Sequence, residues 1–203
     1  NSNFWINKMP KYSIIIFICL NFVAIILYPG GTLHNKDTNY YMFTQNFFSD
    51  LGMTISHSEE NNFLSCVLFN NSLIICGITF IMMFYNIKDV FENKILTYVA
   101  TFFGICGGLS YIGVALTPSN LYLDEHIVFA HSIFRFLSIA SLFYSIIIFK
   151  TKDFDNKYGY GFILFGIMIL LYVIVSELGP DPRTSHFALV LQAIAQKIIA
   201  FWI

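Results

Sequence analysis

The chain has 203 residues, of which 57% are hydrophobic and 11% charged, with a net charge of −1 and a mean hydropathy of +0.67. Soluble domains carry roughly 25% charged residues, so a water-surrounded globule is excluded. There is no basic stripe for nucleic acid. Cys19, Cys66, Cys76 and Cys106 form no CxxC or Cys/His spacing, which removes the case for a disulfide framework or a thiolate zinc site.

Six apolar runs are long enough to cross a bilayer core, which needs about 17–25 residues per helix. They fall near Tyr12–Tyr28, Asn62–Tyr85, Ile95–Leu116, Ile127–Phe149, Tyr160–Ser176 and Phe187–Ile203. Lipid forbids open sheet edges, and the short alternating segments of a barrel are absent. The expected fold is all-α: a polytopic bundle of six transmembrane helices forming one domain over residues 1–203. The first run ends in Tyr28-Pro29-Gly30 without a small-x-small cleavage site, so it reads as a span and not as a removable signal.

In chain order, Lys8 and Lys11 precede the first span. A long connection, residues 29–61, follows it. A loop of this length in a compact protein is usually functional or structured. It opens on the turn Pro29-Gly30-Gly31-Thr32. Its aromatics Tyr40, Tyr41, Phe43, Phe47 and Phe48 suit a short interfacial helix at headgroup level or tucked into the bundle mouth, with Ser49-Asp50 at its end and Gly52 as its stop.

The second span carries Asn70-Asn71-Ser72 and the first carries Asn21, amides and hydroxyls that read as cross-helix hydrogen bonds. Lys88 and Lys94 flank the next connection. The third span holds Gly104, Gly107, Gly108 and Gly113, and the Gly104-xxx-Gly108 spacing predicts close helix contact. Lys150, Lys152 and Lys157 fill the fourth connection. In the last span Gln192 and Gln196 are expected to face inward, and Lys197 to snorkel toward the headgroups.

Counting Lys197, eight of the 11 lysines and arginines lie on one side, which the positive-inside rule makes cytoplasmic together with both termini. The other side holds eight of the 12 acids and all five histidines: His34, His57, His126, His131 and His186. Titratable groups gathered on one face of an apolar bundle mark a candidate site.

The fourth span carries the sharpest signal. At about 100° per residue, Asp124, His131, Arg135 and Ser138 share one face, while His126 lies roughly 140° from His131. An arginine this deep costs at least ~2.5 kcal/mol on insertion scales, so Arg135 is expected to face the interior and pair with Glu177, Asp181, Asp50 or Asp124. The loop from Glu177 to His186 is stiffened by Pro180 and Pro182 and presents Glu177, Asp181, Arg183 and His186. The candidate ligand-binding set is therefore Asp50, Asp124, His131, Arg135, Glu177, Arg183 and His186. No cofactor or metal site is called for.

The segments Pro29–Thr32 (PGGT), Phe47–Thr54 (FFSDLGMT), Gly113–Pro118 (GVALTP) and Asp124–Phe136 (DEHIVFAHSIFRF) together resemble a widespread bacterial and archaeal six-helix family of unknown function. That family is distantly similar to Frag/DRAM/Sfk-type membrane proteins. The resemblance covers roughly residues 12–150. It implies a six-helix fold in a prokaryotic cytoplasmic membrane with no established reaction, and eukaryotic relatives associated with lipid organisation and trafficking. Ser49, Asp50, His126, His131 and His186 also supply the residue types of intramembrane zinc hydrolases similar to alkaline ceramidases and adiponectin-type receptors. Those proteins have seven spans and a His-xxx-His spacing, which His126-xxxx-His131 does not meet.

The expected function is non-catalytic: an outer-face polar pocket that binds a lipid headgroup or small ligand. The alternatives are a metal-dependent lipid hydrolase and an accessory subunit of a larger membrane complex. The expected partners are membrane lipids and protein subunits of such a complex.

Overall fold

A computed structural model describes residues 2–152 and 154–202, without the side chains of 201 and 202. It contains six α-helices among the described residues. These are α1 (Met9–Leu27), α2 (Phe63–Ile87), α3 (Lys94–Leu116), α4 (Leu123–Lys150), α5 (Asn156–Leu178) and α6 (His186–Trp202). A π-helical turn, Phe4–Lys8, runs directly into α1. Five helices are long and apolar enough to cross a membrane, whereas α6 is shorter. The chain is an integral, multi-pass, helical membrane protein.

The helix ends follow local chemistry. Asn93 and Asp155 accept hydrogen bonds from Leu96 N and Lys157 N, capping α3 and α5. Tyr28, held extended because Pro29 follows it, closes α1. Helices adjacent in sequence pack side by side from α1 to α5, and the α5–α6 contact is slighter.

Small residues set these contacts, as the glycine spacing predicts. A Cβ on Gly77 would lie 2.6 Å from the Gly108 carbonyl oxygen, and one on Gly104 would lie 2.4 Å from the Phe84 ring. Without a hydrophobic force between helices in lipid, such close approach and cross-helix hydrogen bonds hold a bundle together. Asn21 Nδ2 donates to Ser72 Oγ (3.0 Å) between α1 and α2, and Ser138 Oγ donates to the Gly166 carbonyl (3.1 Å) between α4 and α5.

The long loop, 29–61, descends into the bundle. Only Phe48–Gly52 of the aromatic segment is helical, as a 3-10 turn, so the expected interfacial helix is reduced to that turn. Gly30 (φ 132°) and Gly31 (φ 81°) make the opening bend, and a Cβ on Gly30 would collide with the Thr38 carbonyl at 2.1 Å. Leu51 is fully buried, and Phe48 packs on Phe17, ten residues (about 15 Å) below the end of α1.

Irregular backbone at that depth is tolerated only where protein satisfies its polar groups. The side chains of α2 and its preceding residue do so here. Asn62 Nδ2 donates to the carbonyls of Leu51 (3.1 Å) and Met53 (2.8 Å), Ser65 Oγ to Leu51 (3.2 Å), and Asn70 Nδ2 to Gly52 (3.3 Å). The loop is a structured plug.

Candidate functional site

The plug is organised around Asp50, which is buried. Its Oδ2 accepts from Asn46 Nδ2 (2.9 Å) and from Phe47 N (3.0 Å), and its Oδ1 lies 3.4 Å from His57 Nε2. Burial alone would lower the His57 pKa, but the hydrogen bond and charge of Asp50 outweigh it and hold the imidazole above its usual 6.5, with Lys36 pulling slightly back.

Lys197 meets the plug from α6. It is 1% exposed and donates to the carbonyls of Asn46 and Ala193. The rings of Tyr41, Phe43 and Phe48 surround its ammonium at 5.5, 5.0 and 5.6 Å. Its neighbour Gln196 accepts from Phe48 N (2.9 Å). Lys197 therefore does not snorkel to headgroups. It sits eleven residues along α6, and turning inward to the plug's open carbonyls replaces the hydration it gives up. The charge asymmetry of the connections then rests on seven lysines.

The second cluster joins α4 to α5. Arg135 Nη2 lies 2.6 Å from Glu177 Oε1, and His131 Nδ1 lies 3.5 Å from the same oxygen. Glu177 is the partner, but Arg135 does not face the interior. The buried Ile133 and Leu137 each stand two residues, or about 200°, away from it around the helix. Its side chain is 53% exposed. From the outward seam it reaches the carboxylate near the end of α5, so the long side chain escapes the apolar core without entering the bundle.

The seven candidate residues are thus divided. Asp50 belongs to the plug, and His131, Arg135 and Glu177 to the α4–α5 seam. The exposed His186 packs its ring 5.8 Å from His34, whose Nε2 is 2.7 Å from the Pro182 carbonyl. Asp124 and Arg183 are exposed, with no side-chain partner among the described residues. No three His, Cys, Asp or Glu side chains among the described residues come together to hold a metal ion.

The bundle holds at least two cavities among the described residues. The larger, about 430 Å³, occupies the half nearer the lysine-rich connections, between α1, α2, α4 and α5. Its walls are chiefly aromatic and aliphatic, including Phe17, Phe80, Phe84, Leu137 and Phe162. Ile14 and Ile18 of α1 and Tyr158 and Gly161 of α5 are wall residues that are also exposed, so the cavity is open along the α1–α5 side. Lys157, ion-paired to Asp155 (2.9 Å), stands at its rim.

The smaller cavity, about 70 Å³, lies directly beneath the plug and is lined by Phe48, Ser49, His126, Ile133 and Gln196 among others. Phe17, Tyr111 and Ala200 line both.

Sequence reasoning set His126 aside because it points away from His131. The structure makes it the inward-facing histidine of α4, 6% exposed, with Nδ1 2.6 Å from the Thr117 carbonyl. The available signal was its register with Ala130 and Ile133, the inward stripe of α4. No family model, curated protein or solved structure matches this chain.

Proposed function

We propose that this is a non-catalytic membrane protein that holds a lipid chain in the 430 Å³ cavity, with the plug closing the opposite end. The observation that carries this reading is the cavity itself. It has the volume of a small-molecule site, walls that are chiefly apolar, and an opening between α1 and α5 at bilayer depth. The surrounding solvent there is acyl chain, so a lipid chain enters without leaving water and is held by packing against the walls. With the lysine-rich connections cytoplasmic, the opening faces the inner leaflet and the plug the outer side.

The outer polar groups support a holding role more than recognition of a headgroup. Asp50, Asn46 and Lys197 spend their hydrogen bonds on one another and on the loop backbone.

The test uses Gly161, whose added Cβ would meet nothing within 4 Å. Gly161→Phe should fill the opening while leaving the thermal transition in detergent unchanged. Lipid retained by the purified protein, measured by native mass spectrometry, should fall at least several-fold. Equal retention in variant and parent would sink the reading.

One observation favours the accessory-subunit reading as a second proposal. Charged residues inside membranes almost always face protein or water, yet Arg135 and Glu177 sit on an outward seam. A partner helix covering that seam would bury the pair, and Arg135→Leu would then dissociate an assembly visible in gentle detergent. The hydrolase alternative has no converging metal ligands among the described residues to carry it.

A further inference from the structure

The small chamber beneath the plug has a hydrogen-bonding character that its size and burial make specific. His126 Nδ1 faces a carbonyl oxygen, which can only accept, so Nδ1 carries the proton and Nε2 of the neutral ring is left as a lone-pair acceptor. That Nε2 has no partner among the described residues. Gln196 uses its Oε1 on Phe48 N, and no acceptor meets its amide N–H groups among the described residues. Ser49, on the plug, makes no side-chain hydrogen bond among the described residues. Three residues with open capacity, an acceptor, a donor and a hydroxyl that is both, thus line one space of about 70 Å³, whose wall also includes Tyr111.

Of the three, His126 is buried and Ser49 and Gln196 are half-buried. A buried polar group without a partner costs on the order of 1–3 kcal/mol, so His126 in particular calls for matching chemistry in this chamber. No Lys, Arg, Asp or Glu lines it. The nearest ammonium, Lys197, is committed to the carbonyls of Asn46 and Ala193. A charged head would enter unpaired, which is far costlier than a neutral one. The volume admits a hydroxyl and the carbon bearing it, and no phosphate group with its two chains. Phe17, Tyr111 and Ala200 stand between this chamber and the apolar cavity and line both.

We propose that the two cavities form one site for a neutral, single-chain lipid alcohol, its hydroxyl in the chamber against His126, Ser49 and Gln196 and its chain in the larger cavity. The hydroxyl donates to His126 Nε2 and accepts from the Gln196 amide, with Ser49 as the third contact. This rests on the lipid-holding reading above and adds the class of ligand and its direction: head toward the plug, tail toward the α1–α5 opening.

The experiment is competition against tritiated 1-hexadecanol bound to the purified full chain in detergent. Unlabelled 1-hexadecanol should displace it, and 1-methoxyhexadecane, which lacks the donor, should do so at least roughly tenfold less well, the cost of one unmade buried hydrogen bond. Palmitate should also compete poorly. Ser49→Ala should weaken binding of the alcohol and narrow its advantage over the ether without changing thermal stability, because Ser49 supports nothing else. His126→Phe should abolish that advantage if the variant folds.

Equal competition by alcohol and ether in the parent protein would mean that the chamber holds ordinary water, and the head-group proposal falls while chain binding stands. Tighter binding of palmitate would likewise overturn the neutral head. If no saturable hexadecanol binding is found, and Gly161→Phe behaves as the parent, the lipid-holding reading itself has failed.

Discussion

Asp50 serves three donors from a position where water does not reach, and this makes it the most consequential single residue of the loop. Asp50→Asn keeps the size but replaces one acceptor oxygen by a donor, which then faces either Asn46 and Phe47 N or His57. Removing one side of a buried charged network costs about 2–4 kcal/mol. The expected outcome is a lowered thermal transition in detergent together with early proteolysis between residues 36 and 60. The Arg135–Glu177 pair acts at a different place. The exposed side of Arg135 faces lipid or detergent at span depth, where an unpaired arginine costs at least ~2.5 kcal/mol, so Glu177→Gln is expected to lower the same transition without the early loop proteolysis.

His57 gives the loop a pH dependence whose sign is fixed by its raised pKa. The contribution is fully present below the unfolded value of 6.5 and is lost as pH rises through the higher folded value. The groups facing it are Asp50, Lys36 and the Tyr28 hydroxyl, which accepts from His57 N. Hydrogen exchange of residues 46–58 should therefore be slower at pH 5.5 than at pH 8 after correction for intrinsic rates. His57→Gln should remove the difference. A difference that persists in the variant assigns the effect elsewhere.

At the scale of elements, α2 is both a wall of the bundle and the scaffold of the plug. Its Gly77 allows the backbone contact with Gly108, and overpacking such a site costs typically 1–3 kcal/mol. Gly77→Leu is expected to splay α2 from α3 and to destabilise the protein more than Gly161→Leu, where space is open. Thermal transitions of the two variants compare them directly. Asn62, just before α2, holds two carbonyls of the 3-10 turn, so Asn62→Ala should loosen the plug with little effect on the membrane helices. Faster exchange confined to residues 48–54 would show it.

Much of this level was legible in the sequence. The glycines of α3 and the amide of Asn21 have a period and a depth that already mean helix contact. The plug was legible only as an aromatic loop. Its descent depends on α2 side chains meeting carbonyls far away in sequence, and local pattern carries no record of that. Lys197 misled for a similar reason: near the end of an apolar run a lysine reads as an anchor, and only the nearby carbonyls of Asn46 and Ala193 turn it inward.

For the whole molecule, the proposed orientation predicts that a cysteine replacing Glu60 reacts with an impermeant maleimide in right-side-out vesicles, and one replacing Lys152 only in inverted vesicles. Composition and run length alone determined that this is a multi-pass helical membrane protein, because bilayer thickness and the cost of unpaired backbone in lipid leave no other arrangement for such runs. The sequence also identified Glu177 among the partners of Arg135, since a buried-depth arginine requires a carboxylate. Tertiary structure decided which way Arg135 points, that the histidines form no common centre, and that a cavity exists beneath a plug. Those outcomes depend on how helices rotate about their axes and on contacts across more than a hundred residues, and neither is encoded in the hydropathy of any one segment.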